Sequence, residues 1–309
     1  MTIPVVGAQD GLSVSVNTLV KSPNVIPRRM IRLLENQFVM DSLLRAGGDA
    51  PGGIVAYMES MPLFATGEPA IKEEFGEYKI IAGQDGIQRA VRAVNRGFAV
   101  VVSEEMRRRN KMDRLNLTMT QGRNTFTRAW ENAFRQTLID AAVPTYEPAI
   151  NWDAANAKPR EDILFARSKV TEAAPAGRPD EYFGFQPDTV LMSQMTHNRL
   201  LINAEFAKVF TDSLAPLKPL YTGTLPRDLL GMTVMTSRSW PNDEILLLER
   251  GTVGFIANER ALRVTPLRED PDREVWRTNV SRISAIGIDN PLAAIRIIDV
   301  WQSDTWTSV

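Results

Sequence analysis

A single histidine, His197, stands in a chain of 309 residues that contains no cysteine. Those two counts bound the chemistry. A Ser-His-Asp triad would have to be built on His197, and a zinc site with two histidines or a thiolate ligand is excluded. His197 lies in Ser193-Gln194-Met195-Thr196-His197-Asn198 on a predicted helix, where a surface role is expected rather than a catalytic one. The run Glu269-Asp270-Pro271-Asp272-Arg273-Glu274 gathers carboxylates, yet its spacing matches no calcium loop and Pro271 marks a turn, so it reads as a solvated loop. Gly47 to Gly53 lacks both the lysine of a phosphate-binding loop and the spacing of a dinucleotide fingerprint. No cofactor, no metal and no catalytic residue are expected. A soluble enzyme working through a carboxylate dyad stays as a distant alternative.

The elements that would have to position any site can be read from composition and periodicity. Hydrophobic residues make up 44% and charged residues 24% of the chain, enough for a substantial core. The net charge of −1 gives no overall reason to expect tight nucleic-acid binding. No stretch reaches the ~18 consecutive apolar residues of a membrane-spanning helix. Met1-Thr2-Ile3-Pro4 lacks the start of a signal peptide, and a reducing cytosol is the natural place of synthesis. Arginines outnumber lysines 28 to 8. Forked arginine pairs are favoured at interfaces, and host codon bias gives the same skew.

Residues 1–26 show no sustained period and read as an extended arm. A helix is predicted from about Arg28 to Arg45, with Pro27 near its first position and Gly47-Gly48 ending it. Two extended stretches follow, Ile54 to Met61 and about Pro69 to Ile81, forming a long two-stranded excursion. An isolated hairpin is marginal in water, so this one must lie on something. Gly97 to Val102 reads as a strand and Ser103 as an N-cap, with Glu104 and Glu105 in the first turn. The long helix beyond carries Phe126, Trp130, Phe134, Leu138 and Ala141 on one face, with a break or kink expected near Gly122 and Asn124. Residues 145–182 give no clear assignment. Asp188–Met192 reads as a strand, and 193–210 as a helix. Later strands are expected at 232–236, 244–249, 253–257, 275–288 and 293–300. The class is α+β.

The order of these pieces carries a resemblance. Val101-Val102-Ser103-Glu104-Glu105, Pro187-Asp188-Thr189-Val190-Leu191-Met192, Leu230-Gly231-Met232 with Val234, Ser237 and Pro241, and Asp289-Asn290-Pro291-Leu292-Ala293 follow one another as they do in major capsid proteins of tailed double-stranded DNA bacteriophages. The chain resembles that family, of Hong Kong 97-like fold, over nearly its whole length. The resemblance implies an N-terminal arm and helix (1–50), an extended loop (51–82), a peripheral domain with a long spine helix (83–143 and 251–290) and an axial domain (144–250 and 291–309). It implies a structural, non-enzymatic subunit that assembles with itself into hexamers and pentamers of an icosahedral shell around the genome. The implied partners are a separate scaffolding protein, a portal, double-stranded DNA held without specificity, and a decoration or cement protein, with no membrane. The implied location is the virion, assembled in the host bacterial cytoplasm. An encapsulin-type nanocompartment shell shares the fold and is the alternative. Some relatives join neighbours through Lys–Asn isopeptide bonds; Lys72 or Lys79 with Asn279 or Asn290 would be the partners, and that link is not expected here.

Charge bears on the docking that the resemblance implies, of the excursion over a neighbour's spine region. Residues 51–79 hold five glutamates against two lysines, a net −3, and residues 89–128 hold ten basic residues against three acids, a net +7. The contact candidates are Met58, Met61, Phe64, Glu68, Lys72, Glu73, Glu74 and Glu77 on the excursion, and Arg107, Arg108, Arg109 and Arg114 on the spine region. Three readings stand for the arginine run: subunit contact, DNA-facing charge, or a solvated helix face.

Overall fold

The computed structural model describes residues 15–59, 71–72, 74–78, 80–81, 86–154, 156–175, 182–203 and 228–301. Three short helices open the described chain: α1 (Val16–Lys21), α2 (Val25–Leu34) and α3 (Val39–Leu43). The expected extended arm therefore contains a helix. Ser15 caps it by accepting a hydrogen bond from the Thr18 N–H, and Val16 and Leu19 are buried. The single helix expected from Arg28 to Arg45 is in fact two. Its first half begins earlier, with Pro27 inside the first turn, where a missing N–H is harmless. Asn36 then takes a left-handed conformation (φ +57°), and Phe38 turns edge-on to Phe126 at 5.8 Å. Tertiary packing of Phe38 and an ion pair of Asp41 with Arg282 at 2.8 Å fix this break.

Arg45–Asp49 forms β1 where the sequence suggested only a glycine-rich stop. It runs parallel to a later strand, with Arg45 opposite Phe255. Gly47 is required there, because a Cβ would sit 2.5 Å from the Phe255 ring. β2 (Ile54–Met58) pairs antiparallel with β3 (Gln88–Arg92), in register from Ile54↔Arg92 to Met58↔Gln88. The expected return strand at Pro69–Ile81 is thus displaced to 88–92, and the described residues between 71 and 81 lie in no strand. Gln88, Arg89 and Arg92 make the true return strand read as polar. It pairs because Val91, with Val55 and Tyr57, seats on a small cluster of Ala50, Phe255 and Ala257.

β4 (Val94–Ser103) feeds α4 (Glu104–Arg108) through the expected cap, Ser103 Oγ accepting from the Met106 N–H at 3.2 Å. The spine is α5 (Met112–Asp140), an unbroken helix of 29 residues. The interruption falls at Arg109–Lys111, with Asn110 at φ +47°, and not at Gly122 and Asn124. Gly122 instead lets Phe98 lie against the helix, where a Cβ would come within 2.4 Å of that ring. The expected stripe is buried: Phe126, Trp130, Phe134 and Leu138 join Leu115 and Met119 in the core.

Two sheets complete the body. Beyond α5 come β5 (Thr145–Tyr146), α6 (Pro159–Thr171), β6 (Thr189–Ser193), α7 (Gln194–Ile202), β7 (Asp228–Leu229), β8 (Met232–Ser237) and β9 (Ile245–Leu248). Then follow β10 (Gly254–Val264), β11 (Arg268–Asp270), β12 (Val275–Ile288) and β13 (Ala294–Ile297). Helix α6 falls in the stretch that gave no assignment, and residues 204–210 of the helix expected after β6 lie outside the described residues. One sheet centres on β12, with β10 and β11 on one edge and β4 on the other; β1 adds beside β10. The second has six strands in the order β5-β13-β9-β6-β8-β7. Its central β6 and β9 are buried along their whole length, as near-continuous apolar runs with both faces covered must be. The spine helix packs on β4 and β12. Among the described residues no helix is long and apolar enough to cross a membrane.

Candidate assembly surface

The ribbon of β2 and β3 projects an apolar and acidic extension. Ile71, Phe75 and Ile80 are 98%, 96% and 92% exposed, and Tyr78, Ile87 and Met58 are exposed as well. Water imposes its full cost on these side chains, about 25 cal/mol per Å² of apolar surface. Lys72 Nζ lies 4.3 Å above the Tyr78 ring. Glu74 and Glu77 are exposed and make no ion pair among the described residues. Phe75 sits at a turn in the left-handed region, φ +70°, uncommon for a bulky side chain. Met61, Phe64, Glu68 and Glu73, expected contact residues of the same excursion, lie outside the described residues.

The expected basic run is present but internally engaged. Glu104 accepts from Arg107 at 2.6 Å and from Arg108 at 2.9 Å, and Arg109 pairs with Glu105 at 3.4 Å. The Arg107 hydrogen bond, with help from Arg108, holds the Glu104 carboxyl below its usual range. Arg107 also stacks over Trp276 at 4.8 Å. Arg114 is exposed, with no ion pair among the described residues. Arg89, counted with the spine region in the sequence, belongs to β3, and its ion pair with Glu59 lies within the ribbon itself.

A concavity that the sequence did not reveal lies where the α2–α3 turn, the middle of α5 and the end of β8 meet. It encloses about 690 Å³ and is lined by Asn36, Gln37, Arg123, Arg128, Glu131 and Arg238, with hydroxyl and amide side chains between them. Arg123 is held by Asn124 Oδ1 at 3.0 and 2.8 Å. Neither Arg128 nor Arg238 has an acidic partner among the described residues. Glu131, the one acid of the lining, is 4% exposed and accepts from Ser237 Oγ at 2.7 Å. Burial pushes its carboxyl up, against the pull of hydrogen bonds from Ser237 and Ser239. Arg128 and Glu131 are legible as neighbours on one helix; the approach of Arg238 across 110 residues is not.

Elsewhere, charged and polar groups hold structure together. Glu244, 1% exposed, joins Arg135 of the spine at 2.6 Å to Arg296 of β13 at 2.7 Å. Arg282 reaches Asp41 and lies over both Phe38 and Trp130. Asp162 accepts from Tyr146 Oη at 2.8 Å and Trp152 Nε1 at 2.9 Å; burial and that carboxylate push the Tyr146 phenol up to about 12. The motif residues do local work too. Leu230 and Gly231 take φ +53° and +78° in the tight turn between β7 and β8, and Asn290 Nδ2 donates to Thr252 O at 2.6 Å. His197 is half-buried and meets Asn198 Oδ1 at 3.5 Å. No cluster of three or more histidines and carboxylates suited to a metal occurs among the described residues.

A long spine helix on a β12-centred sheet, a second buried sheet and a projecting ribbon define the Hong Kong 97-like class of shell proteins. The phage capsid protein family model matches residues 86–297, and the chain belongs to that family. No curated protein matches the sequence. Among solved structures, the capsid of cyanophage P-SCSP1u is similar with a TM-score of 0.61 at 10% identity, covering 86% of this chain and 89% of that one. A Microbacterium phage Oxtober96 structure gives 0.60 at 13%, covering 84% and 90%. A virus-like particle from Pyrococcus furiosus gives 0.58 at 11%, covering 90% and 99%. At these identities the likeness is one of fold.

Proposed function

We propose that this capsid protein is the repeating subunit of a closed icosahedral shell, built from hexamers and pentamers, that encloses the double-stranded phage genome. The observation that carries the reading is the extension of Ile71, Phe75, Tyr78 and Ile80, which finds no burial on its own chain. Apolar surface of that kind marks a contact with another molecule. Every subunit meets several neighbours, so individually weak contacts suffice. The role is structural rather than catalytic, and the place of action is the virion, after assembly in the host cytoplasm with a scaffolding protein and a portal.

The proposed division into domains has the same support. Strands β4, β10, β11 and β12 and the spine helix fall within 83–143 and 251–290, while the six-stranded sheet falls within 144–250 and 291–309. The ribbon and its extension, with Met58, Lys72, Glu74 and Glu77, reach a neighbouring copy, and Met61, Phe64, Glu68 and Glu73 belong to the same proposed contact. Arg107, Arg108, Arg109 and Arg114 form its basic counterpart, and Arg114 is the member without an ion pair among the described residues.

Negative-stain imaging of the expressed protein, alone and with its scaffold, tests the reading. Particles are expected from the wild-type chain. Replacing Ile71, Phe75 and Ile80 by serine should leave folding intact and abolish particles. A wild-type chain that stays a lone globule under all these conditions overturns it. The second reading is a nanocompartment shell around cargo protein, which would share this fold. Nuclease-protected DNA inside the particles decides between the two.

A further inference from the structure

Arg128 of α5 and Arg238 at the end of β8 line one recess. Both are exposed, and neither makes an ion pair among the described residues. Arg123, a third guanidinium of the lining, is held by the neutral side chain of Asn124. The one acid of the lining, Glu131, stands three residues after Arg128, a spacing open to a helix-surface pair. It turns to Ser237 Oγ instead, at 2.7 Å, and is 4% exposed. The recess therefore gathers three cations and pairs none of them from within. Like charges brought together from separate elements repel, and an anion between them relieves that cost.

The neutral groups point the same way. Asn36, Gln37 and Ser239 bring donors from the α2–α3 turn and the end of β8. Thr127 Oγ1, one helical turn before Glu131, is buried with no hydrogen-bond partner. A buried hydroxyl left unmatched costs free energy, and a ligand oxygen in the recess would satisfy it. Arg123, Thr127 and Glu131 follow at spacings of four along α5, a wall about 12 Å long.

Size and charge narrow the class of ligand. A volume of about 690 Å³ falls in the small-molecule range of ~300–1,000 Å³. Duplex DNA, stiff over ~50 nm, lays its phosphates across a rim and does not enter. A lone phosphate diester carries one charge and answers one arginine. Adjacent phosphoryl groups carry several charges on a short span, and they offer each planar fork the paired oxygens it matches. Val39 is the one apolar side chain of the lining among the described residues, so a ring or acyl group finds little to lie against.

We propose that the recess between the α2–α3 turn, α5 and β8 binds a compact polyphosphate, either inorganic or the triphosphate end of a nucleotide, gripped by Arg128 and Arg238. The site belongs to the single chain and stands apart from the assembly of copies.

Calorimetry of the full chain with sodium triphosphate tests it. The wild type should take up triphosphate saturably and melt at a higher temperature in its presence. Arg128→Ala with Arg238→Ala should weaken uptake by about tenfold or more, since each change removes a charge-assisted pair. Arg128→Lys with Arg238→Lys, which keeps the charge without the fork, should fall between; it also carries the test should the alanine pair disturb the helix. Arg32→Ala with Arg263→Ala removes the same charge from exposed positions outside the recess and should leave uptake unchanged. Circular dichroism and the ligand-free melting temperature check that each variant folds. A nucleoside triphosphate run alongside distinguishes the sources: equal affinity assigns the polyphosphate alone, and tighter binding assigns a nucleotide. No saturable uptake by the wild type overturns the proposal, and so does an equal loss in the Arg32 and Arg263 control. A duplex DNA oligomer that depends on Arg128 and Arg238, and that triphosphate cannot displace, would mean that the recess serves the genome's backbone, and also overturns it.

Discussion

Glu131 shows how far a single side chain's behaviour is set by its surroundings. It has Arg128 and Arg135 on its own helix, Arg238 and the hydroxyls of Ser237 and Ser239 across the recess, and Arg135 is already taken by Glu244. Burial is the larger influence and raises the carboxyl above its ordinary 4.5. The folded state then binds its proton more tightly than the unfolded chain does. The stability this contributes is fully present below pH 4.5 and is lost as pH rises through the raised folded value. Glu131→Gln keeps the shape and removes the titration. Denaturation curves across that range should show the variant gaining on the wild type as pH rises; parallel curves would refute the assignment. At this scale the sequence was partly readable. Glu104 stands three and four residues before Arg107 and Arg108, and Glu105 four before Arg109, which is the spacing of helix-surface pairs. Their mutual neutralisation was therefore legible. The meeting of Arg238 with Arg128 depends on where β8 ends relative to α5, which no local pattern records.

Among elements, the spine helix was the most legible, because Phe126, Trp130, Phe134 and Leu138 repeat every four residues. Its true beginning was not. The chain turns at Asn110, whose side-chain oxygen accepts from the Val16 N–H at 2.8 Å, a contact across 94 residues. Helix α6 was missed although its signals were present: Pro159 at its start, Glu161 and Asp162 in the first turn, and Ile163, Ala166 and Val170 on one face. The glycine at 122 was misread as a breaker when it is a packing site. A side chain there gains up to ~1 kcal/mol of helix propensity. It also drives into Phe98, itself held by Phe126 at 5.5 Å. Overpacking of this kind costs about 1–3 kcal/mol and valine recovers only a few tenths of that in propensity, so Gly122→Val should destabilise the protein by about 0.5–2.5 kcal/mol in chemical denaturation. A variant as stable as wild type would show that Phe98 can move.

For the molecule as a whole, near-neutral total charge conceals a division between an acidic stretch, residues 51–79, and the basic helices α4 and α5 with the strand before them. Separated charges of that kind act over distance and guide encounter more than they tighten the final contact. Raising salt from 0.1 M to 1 M shortens the screening length from ~10 Å to ~3 Å. Assembly followed by light scattering should therefore slow with salt, while finished particles, held largely by apolar contacts, persist. Equal rates at both salt concentrations would remove charge from the account of docking. The ribbon's mounting has its own consequence. Val55, Tyr57 and Val91 rest on Ala50, Phe255 and Ala257, a patch separate from the principal core, with Tyr57 edge-on to Phe255 at 5.2 Å. A lever fixed at so small a footing can be re-aimed by sliding one aromatic contact. Copies placed in unlike surroundings around a curved surface could thus differ in the pitch of this one limb and share an identical trunk.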